Sequence, residues 1–130
     1  MNNEEYKKFY EEHVKNKALF SISSKKRQQP IDYGVLESNK NGYLKSFIEK
    51  PKKEYLVSMG IYMANKNIKN YIPNSFFGFD HLMLDLLSKN EPVKLYEFEG
   101  YWLDIGKPDD YMKAIEDFEI FKDKLLWLRF

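Results

Sequence analysis

Residues 99–114 read EGYWLDIGKPDDYMKA. An acidic residue, Asp104, stands between two apolar neighbours, which predicts a buried carboxylate. A glycine and Pro108 follow, and Pro108 suits the first position of a helix because its missing N–H breaks no hydrogen bond there. Asp109 and Asp110 would then meet the positive end of the helix dipole. Asp104 either bonds the backbone of this turn or faces a pocket, where it holds a ligand or a metal ion.

The composition limits the classes of protein to consider. Hydrophobic residues make up 43% of the 130 residues and aromatic residues 17%, which indicates one packed domain, or part of one. The formal net charge is +1, so no nucleic-acid or membrane partner is expected, and the absence of cysteine excludes a disulfide framework. The first fifteen residues do not read as a signal peptide, and no apolar run approaches the roughly 20 residues that span a bilayer. We therefore expect a cytoplasmic protein.

Three segments show apolar residues at helical spacing. Residues 3–16 form the first, and His13 on its apolar face is expected to be packed or hydrogen-bonded rather than catalytic. Residues 79–87 predict an amphipathic helix that packs on a sheet. The third helix begins after Gly106. Its buried face is expected to contain Tyr111, Ala114, Ile115 and Phe118.

A strand is predicted for residues 18–23, and the segment after it, SSKKRQQP at 23–30, is predicted to be a loop. The basic run in this loop, Lys25, Lys26 and Arg27, is expected to be solvated, because nothing flanks it to shape a phosphate site.

Further strands are predicted between the helices. Residues 31–38 and 42–50 form a hairpin around an Asn-Gly pair. Residues 57–64, VSMGIYMA, are nearly all apolar and predict a strand buried on both faces. Residues 92–100 predict another strand. Because strands and helices interleave, the class is α/β or α+β.

Four short motifs can carry chemistry: Tyr-Gly-Val at 33–35, Glu-Lys-Pro at 49–51, Gly-Ile-Tyr at 60–62 and Trp-Leu-Asp-Ile-Gly at 102–106. Each alone has an ordinary structural explanation, such as a solvated strand end, a bulge or a turn. Together and in this order, they resemble the C-terminal half of the sugar-1-phosphate nucleotidyltransferases. The resemblance runs from about residue 3 to about residue 120. The motif at 100–114 is most similar to that of the mannose-1-phosphate guanylyltransferase-like members.

The resemblance implies an α/β fold. It would be the C-terminal part of a Rossmann-like nucleotide-diphospho-sugar transferase fold, with a mixed sheet flanked by helices. Residues 1–130 would form a single partial domain, the sugar-phosphate-binding half of a nucleotidyltransferase, with an apolar tail at 121–130.

The resemblance also implies a reaction and two catalytic residues. In this family a sugar 1-phosphate attacks the α-phosphorus of a nucleoside triphosphate, and pyrophosphate leaves. Lys50 matches the lysine beside the incoming phosphate. Asp104 matches the second of two aspartates that hold Mg²⁺.

Further positions match the family's substrate contacts. Gly34 matches a glycine whose backbone lies against the sugar ring, and Glu49 matches the residue that binds sugar hydroxyls. Lys50 is counted here as well, as a substrate contact. Ser58 and Gly60 belong to the V-S-x-GIY motif, where many relatives carry Asn in place of Ser58.

The nucleotide side of the family site is missing from this sequence. The family's N-terminal half carries the loop G-G-x-G-T-R-L, a lysine and the first metal aspartate, whereas the six glycines here are widely spaced. NTP and Mg²⁺ would therefore bind only with that half, and the isolated chain is expected to be inactive. It would pair with that half or form a homo-oligomer. The alternatives are a non-catalytic sugar-phosphate-binding module and a domain that only oligomerises.

Overall fold

The structure is a computed structural model that describes residues 1–75 and 77–125. It contains helices, strands and one 3₁₀ helix. In chain order these are α1 (Asn3–Lys15), β1 (Phe20–Pro30), β2 (Val35–Ser38), β3 (Leu44–Ile48), β4 (Lys52–Ala64), the 3₁₀ helix (Lys66–Tyr71), α2 (Phe79–Ser88), β5 (Val93–Glu97) and α3 (Pro108–Leu125). No helix within this part of the chain is long and apolar enough to cross a membrane. Residues 126–130 of the predicted apolar tail at 121–130 lie outside the described residues.

The main sheet has three strands in the order β4-β1-β5. β4 pairs with β1 in the antiparallel direction, whereas β5 runs parallel to it. β2 and β3 form a separate antiparallel hairpin. The predicted mixed sheet with helices is therefore confirmed, as is the hairpin around Asn-Gly, where Gly42 has a φ of +83°.

The core forms where α2 packs on β1. Phe20 and Ile22 of β1 meet Leu82 and Leu86 of α2, and all four side chains are buried. Burying an aliphatic or aromatic side chain of this size contributes about 1.5–3 kcal/mol. The predicted packing of this amphipathic helix on a sheet is confirmed.

α1 is held at its start and along one face. The side chains and backbone N–H groups of Asn2 and Glu5 bond each other in a capping box. Farther along, His13 is buried, and its Nδ1 lies 2.7 Å from the Oγ of Ser21 in β1. Burial lowers the pKa of His13, so the neutral ring is favoured. The expectation of a packed, hydrogen-bonded histidine is confirmed.

The predicted loop at 23–30 is wrong, because β1 continues through this segment to Pro30. Its backbone pairs with β4 from Ser24↔Ser58 to Pro30↔Lys52. The segment has no alternation of apolar and polar residues that would predict a strand. Its strand geometry comes from backbone hydrogen bonds to residues far away in sequence.

Two predictions of burial are also wrong. β4 is an edge strand that begins at Lys52, and within it only Met59 is buried. On α3, Tyr111, Ile115 and Phe118 are exposed. An apolar pattern indicates which face avoids water, but it cannot show whether another element covers that face.

Candidate functional site

A cavity of about 440 Å³ opens where the second half of β1, the middle of β4 and the loop before α3 meet. This volume lies within the range of small-molecule sites. Amide, hydroxyl and carboxylate groups line it together with an indole and a guanidinium. The lining residues are Arg27, Gln28, Gln29, Pro30, Tyr55, Val57, Ser58, Trp102, Asp104, Lys107, Asp109 and Asp110.

Asp104 borders this cavity, but it is exposed rather than buried, so the predicted burial is wrong. The N–H of Gly106 donates to its Oδ1 at 3.1 Å, and the N–H of Lys107 donates to its carbonyl oxygen at 3.0 Å. The apolar neighbour Ile105 misled the prediction, because it is itself 65% exposed. Asp104 thus bonds the turn locally and also borders the cavity.

Asp110 is the buried carboxylate of this region, with 6% of its surface exposed. Arg27 of β1 forms a two-pronged salt bridge with it: Nη1 donates to Oδ2, and Nη2 donates to Oδ1 at 2.8 Å. The N–H of Asp104 also donates to Oδ2 of Asp110, at 3.3 Å. Hydrogen bonding to Arg27 lowers the pKa of Asp110, which therefore stays ionised.

The basic run on β1 is paired rather than simply solvated, which corrects the prediction for this segment. The Nζ of Lys25 donates to the carbonyl oxygens of Phe98 and Gly100. The Nζ of Lys26 lies 3.2 Å from Oε1 of Glu97. Because side chains alternate along a strand, Lys25 and Arg27 share one face. Lys25 contacts the loop before α3, whereas Arg27 contacts Asp110 in the first turn of α3. The three consecutive basic residues show no alternation in the sequence, so the common face of Lys25 and Arg27 appears only once the strand pairing is known.

Ser58 and Gly60 lie at a bulge in β4. Ser23 is the one residue of β1 between the pairs Ile22↔Tyr62 and Ser24↔Ser58, and it faces three residues of β4. Gly60 takes a φ of +77°, which side chains other than glycine rarely adopt, and its N–H donates to Oγ of Ser58 at 3.2 Å. Bulges of this kind re-aim side chains next to binding sites. Ser58 lines the cavity, whereas Gly60 does not.

Gly34, Glu49 and Lys50 lie at the open end of the β2–β3 hairpin and outside the lining of the cavity. A Cβ on Gly34 would come within 2.7 Å of the Phe47 ring and 3.5 Å of Oε2 of Glu49, so these residues are close neighbours. Lys50 has a φ of +41° although Pro51 follows it, and a residue before proline normally adopts an extended conformation. The structure therefore brings Ser58 and Asp104 together but leaves the hairpin residues apart from them.

The acidic residues of this region do not form a complete metal site. Across residues 1–75 and 77–125, no three histidine, aspartate or glutamate side chains come together as a possible metal site. Asp104 could supply one carboxylate, but Mg²⁺ needs near-octahedral oxygen coordination. The described residues by themselves therefore do not fit a bound Mg²⁺.

The family model for nucleotidyl transferases matches residues 1–120, which is nearly the whole sequence. The chain belongs to the nucleotidyl transferase family. The family resemblance read from the motifs is thus confirmed. Members of this family bind sugar 1-phosphates and nucleoside triphosphates and are generally Mg²⁺-dependent.

This nucleotidyl transferase chain is similar to curated proteins named for nucleotidylyl transfer to sugar 1-phosphates. It is 37% identical over 102 residues to a bifunctional sugar-1-phosphate nucleotidylyltransferase/acetyltransferase of Sulfurisphaera tokodaii, covering 73% of this chain and 25% of that protein. It is 33% identical over 126 residues to glucose-1-phosphate adenylyltransferase of Bacillus subtilis, covering 87% and 33%. The chain thus spans a quarter to a third of these relatives.

Solved structures give the same assignment for the fold. The chain is similar to HddC from Yersinia pseudotuberculosis, with a TM-score of 0.56 and 31% identity, over 87% of this chain and 49% of that one. A complex of the same protein with GMP-PN gives a TM-score of 0.55, at 29% identity and the same coverage. The nucleotidyl transferase fold seen here therefore spans about half of the solved relative.

Proposed function

We propose that this chain forms the sugar-phosphate side of a sugar-1-phosphate nucleotidyltransferase site, the C-terminal half of the catalytic domain. One observation carries the proposal. Ser58 and Asp104 come from motifs far apart in sequence, and both line the same cavity. The reaction joins a sugar 1-phosphate to a nucleoside triphosphate, forms a nucleotide sugar and releases pyrophosphate.

The lining of the cavity suits a polyhydroxylated, anionic ligand. Gln28 and Gln29 offer amide donors and acceptors, and Tyr55 adds a hydroxyl. The indole of Trp102 provides an apolar surface for a sugar ring. Lys107 also lines the cavity and would add positive charge near the phosphate of the ligand.

Phosphoryl transfer of this kind depends on positioning and charge neutralisation more than on acid–base catalysis. Lys50 would neutralise the sugar phosphate, and Glu49 would bind sugar hydroxyls, with Gly34 against the ring. None of these three residues lines the cavity, so they would contact a part of the ligand that extends beyond it. The left-handed conformation of Lys50 supports a constrained role, because strain of about 1–3 kcal/mol is retained mainly at functional sites.

Asp104 would hold Mg²⁺ together with oxygen ligands from the complementary half and from the substrate phosphates. Bound there, the ion would neutralise phosphate charge. The carboxylate is exposed and borders the cavity, as such a ligand must be. NTP would bind through the complementary half.

Calorimetric titration of the chain with sugar 1-phosphates tests this proposal. We expect binding that free sugar and inorganic phosphate do not reproduce, and a loss of about tenfold in affinity for Lys50→Ala, since a charge-assisted hydrogen bond is removed. Lys40→Ala, at the turn of the same hairpin, is the matched control and should leave affinity unchanged. Failure to bind any sugar 1-phosphate, with or without the complementary half, would overturn the proposal.

A second candidate is a sugar-phosphate-binding module without catalysis, for which the polar lining of the cavity would suffice. Pyrophosphate release separates the two functions. We expect release from NTP and sugar 1-phosphate when the chain is combined with a glycine-rich N-terminal half, and none from the chain alone. Binding without release in the combined sample would favour the module.

A further inference from the structure

Arg27 and Asp110 form an ion pair that connects β1 to the first turn of α3. Nη1 of Arg27 donates to Oδ2 of Asp110, and Nη2 donates to Oδ1. The side chain of Asp110 is only 8% exposed and that of Arg27 is 30% exposed. Two-pronged contacts of this kind fix the relative orientation of the two groups as well as their distance.

The same carboxylate also bonds the backbone next to the cavity. Oδ2 of Asp110 accepts the N–H of Asp104 at 3.3 Å, so this oxygen joins Arg27 to the turn that carries Asp104. Within that turn, the bond from Gly106 to Oδ1 holds the Asp104 carboxylate against the backbone. Hydrogen bonds therefore connect β1, through Asp110, to the backbone N–H of Asp104, whose side chain borders the cavity.

Other contacts hold this loop farther from Asp104. The N–H of Phe98 donates to the carbonyl oxygen of Ser24, and Lys25 bonds the carbonyl oxygens of Phe98 and Gly100. These bonds fix the beginning of the loop, whereas the Asp110 carboxylate fixes its end. Without the Asp110 contact, the turn at Asp104 would keep its local hydrogen bonds but lose its attachment to the sheet through Arg27.

We propose that Arg27 is a positioning residue for the sugar-phosphate site: through Asp110, it sets the orientation of Asp104. This inference rests on the proposed function for the role of Asp104 toward a ligand. Direct contact between Arg27 and the ligand is a different role, which predicts a different result for Asp110→Asn. If Arg27 acts through Asp110, removing either partner has the same consequence, and removing both adds little.

Amide hydrogen exchange tests the positioning without any ligand. In Arg27→Gln and in Asp110→Asn, we expect the amide of Asp104 to exchange at least about tenfold faster than in the parent chain. The amide of Ile22 in the core serves as the internal reference for global unfolding and should change less. Unchanged exchange at Asp104 would overturn the proposal.

Two further variants sharpen this comparison. Arg27→Lys keeps the positive charge but loses the two-pronged guanidinium contact. We therefore expect the Asp104 amide to exchange at a rate between those of the parent chain and Arg27→Gln. Lys26→Gln removes the neighbouring, more exposed ion pair with Glu97 and should leave the turn unchanged. Equal acceleration in Lys26→Gln would show a general loss of charge rather than loss of this pair.

Binding of sugar 1-phosphate gives the functional measurement. The fluorescence of Trp102, in a Trp127→Phe background that leaves it as the sole tryptophan, reports ligand in the cavity. We expect Arg27→Gln and Asp110→Asn each to weaken binding by about tenfold, and the double variant to be no weaker than either. Additive losses would show that Arg27 contacts the ligand directly.

The two measurements separate the two proposals. If exchange at Asp104 responds as expected but the parent chain binds no sugar phosphate even with its complementary half, the proposed function fails and the structural attachment stands. If the parent binds and neither exchange nor affinity changes in the variants, the proposed role of Arg27 fails and the proposed function stands.

Discussion

Asp104 and Asp110 show how strongly the environment of a single residue depends on contacts made far away in sequence. They lie six residues apart, yet Asp104 is exposed and Asp110 is buried. Burial of an ionised carboxylate requires a partner, and Asp110 has Arg27. No local pattern in the sequence distinguishes the two residues, because the partner comes from a strand at the other end of the chain.

The ion pair makes a pH-dependent contribution to stability. Since Arg27 holds the pKa of Asp110 below that of an unfolded aspartate, about 3.9, the pairing stabilises the fold fully above about pH 5. This stabilisation is lost as the pH falls through the pKa of the folded state. Urea unfolding should therefore show Arg27→Gln destabilised by roughly 2 kcal/mol at pH 7, the size of a hydrogen bond to a charged group. The difference from the parent chain should shrink toward pH 3.

The control for this prediction is Lys26→Gln. Its ion pair with Glu97 is more exposed, so its loss should cost less than about 1 kcal/mol. A constant difference between Arg27→Gln and the parent from pH 7 to pH 3 would show that the loss comes from packing of the arginine and not from the charge.

Helices and strands differ in how well the sequence predicted them. The helical spacing at 3–16 and 79–87 depends only on neighbours along the chain, and α1 and α2 formed there. The second half of β1 depends on its pairing with β4, so its charged residues were wrongly assigned to a loop. For the same reason, the sequence placed Ser58 and Asp104 in a site through family motifs but missed Arg27, whose role appears only once the register is known.

The bulge in β4 gives a prediction at the scale of one element. Gly60 adopts a left-handed conformation, which costs other residues about 1–2 kcal/mol. Gly60→Ala should therefore lower the free energy of unfolding by about that amount, measured in urea. Gly60→Asn is the matched variant, and its cost should be smaller because asparagine tolerates this conformation. Equal costs for both would contradict the assignment to backbone strain, because a Cβ at this position meets no atom within 4 Å and crowding cannot explain a cost.

The molecule as a whole leaves much apolar surface uncovered. On α3, Tyr111, Ile115 and Phe118 are exposed by 40% or more, and the outer edge of β4 has no partner strand among the described residues. Monomeric proteins rarely expose long strand edges together with apolar patches of this kind. If the chain is half of a catalytic domain, as proposed above, we expect the complementary half to pack on these surfaces.

We therefore expect the isolated 15.7 kDa chain to self-associate, with a mass in light scattering that rises with concentration. Phe118→Glu places a charge in the apolar face of α3 and should weaken the association by tenfold or more, since burying one such side chain contributes about 1.5–3 kcal/mol. Glu116→Gln changes an exposed neighbour on the same helix and should have little effect. A monodisperse monomer at every concentration would contradict the prediction. If Phe118→Glu leaves the association unchanged, the contact between copies lies at the outer edge of β4 and not on α3.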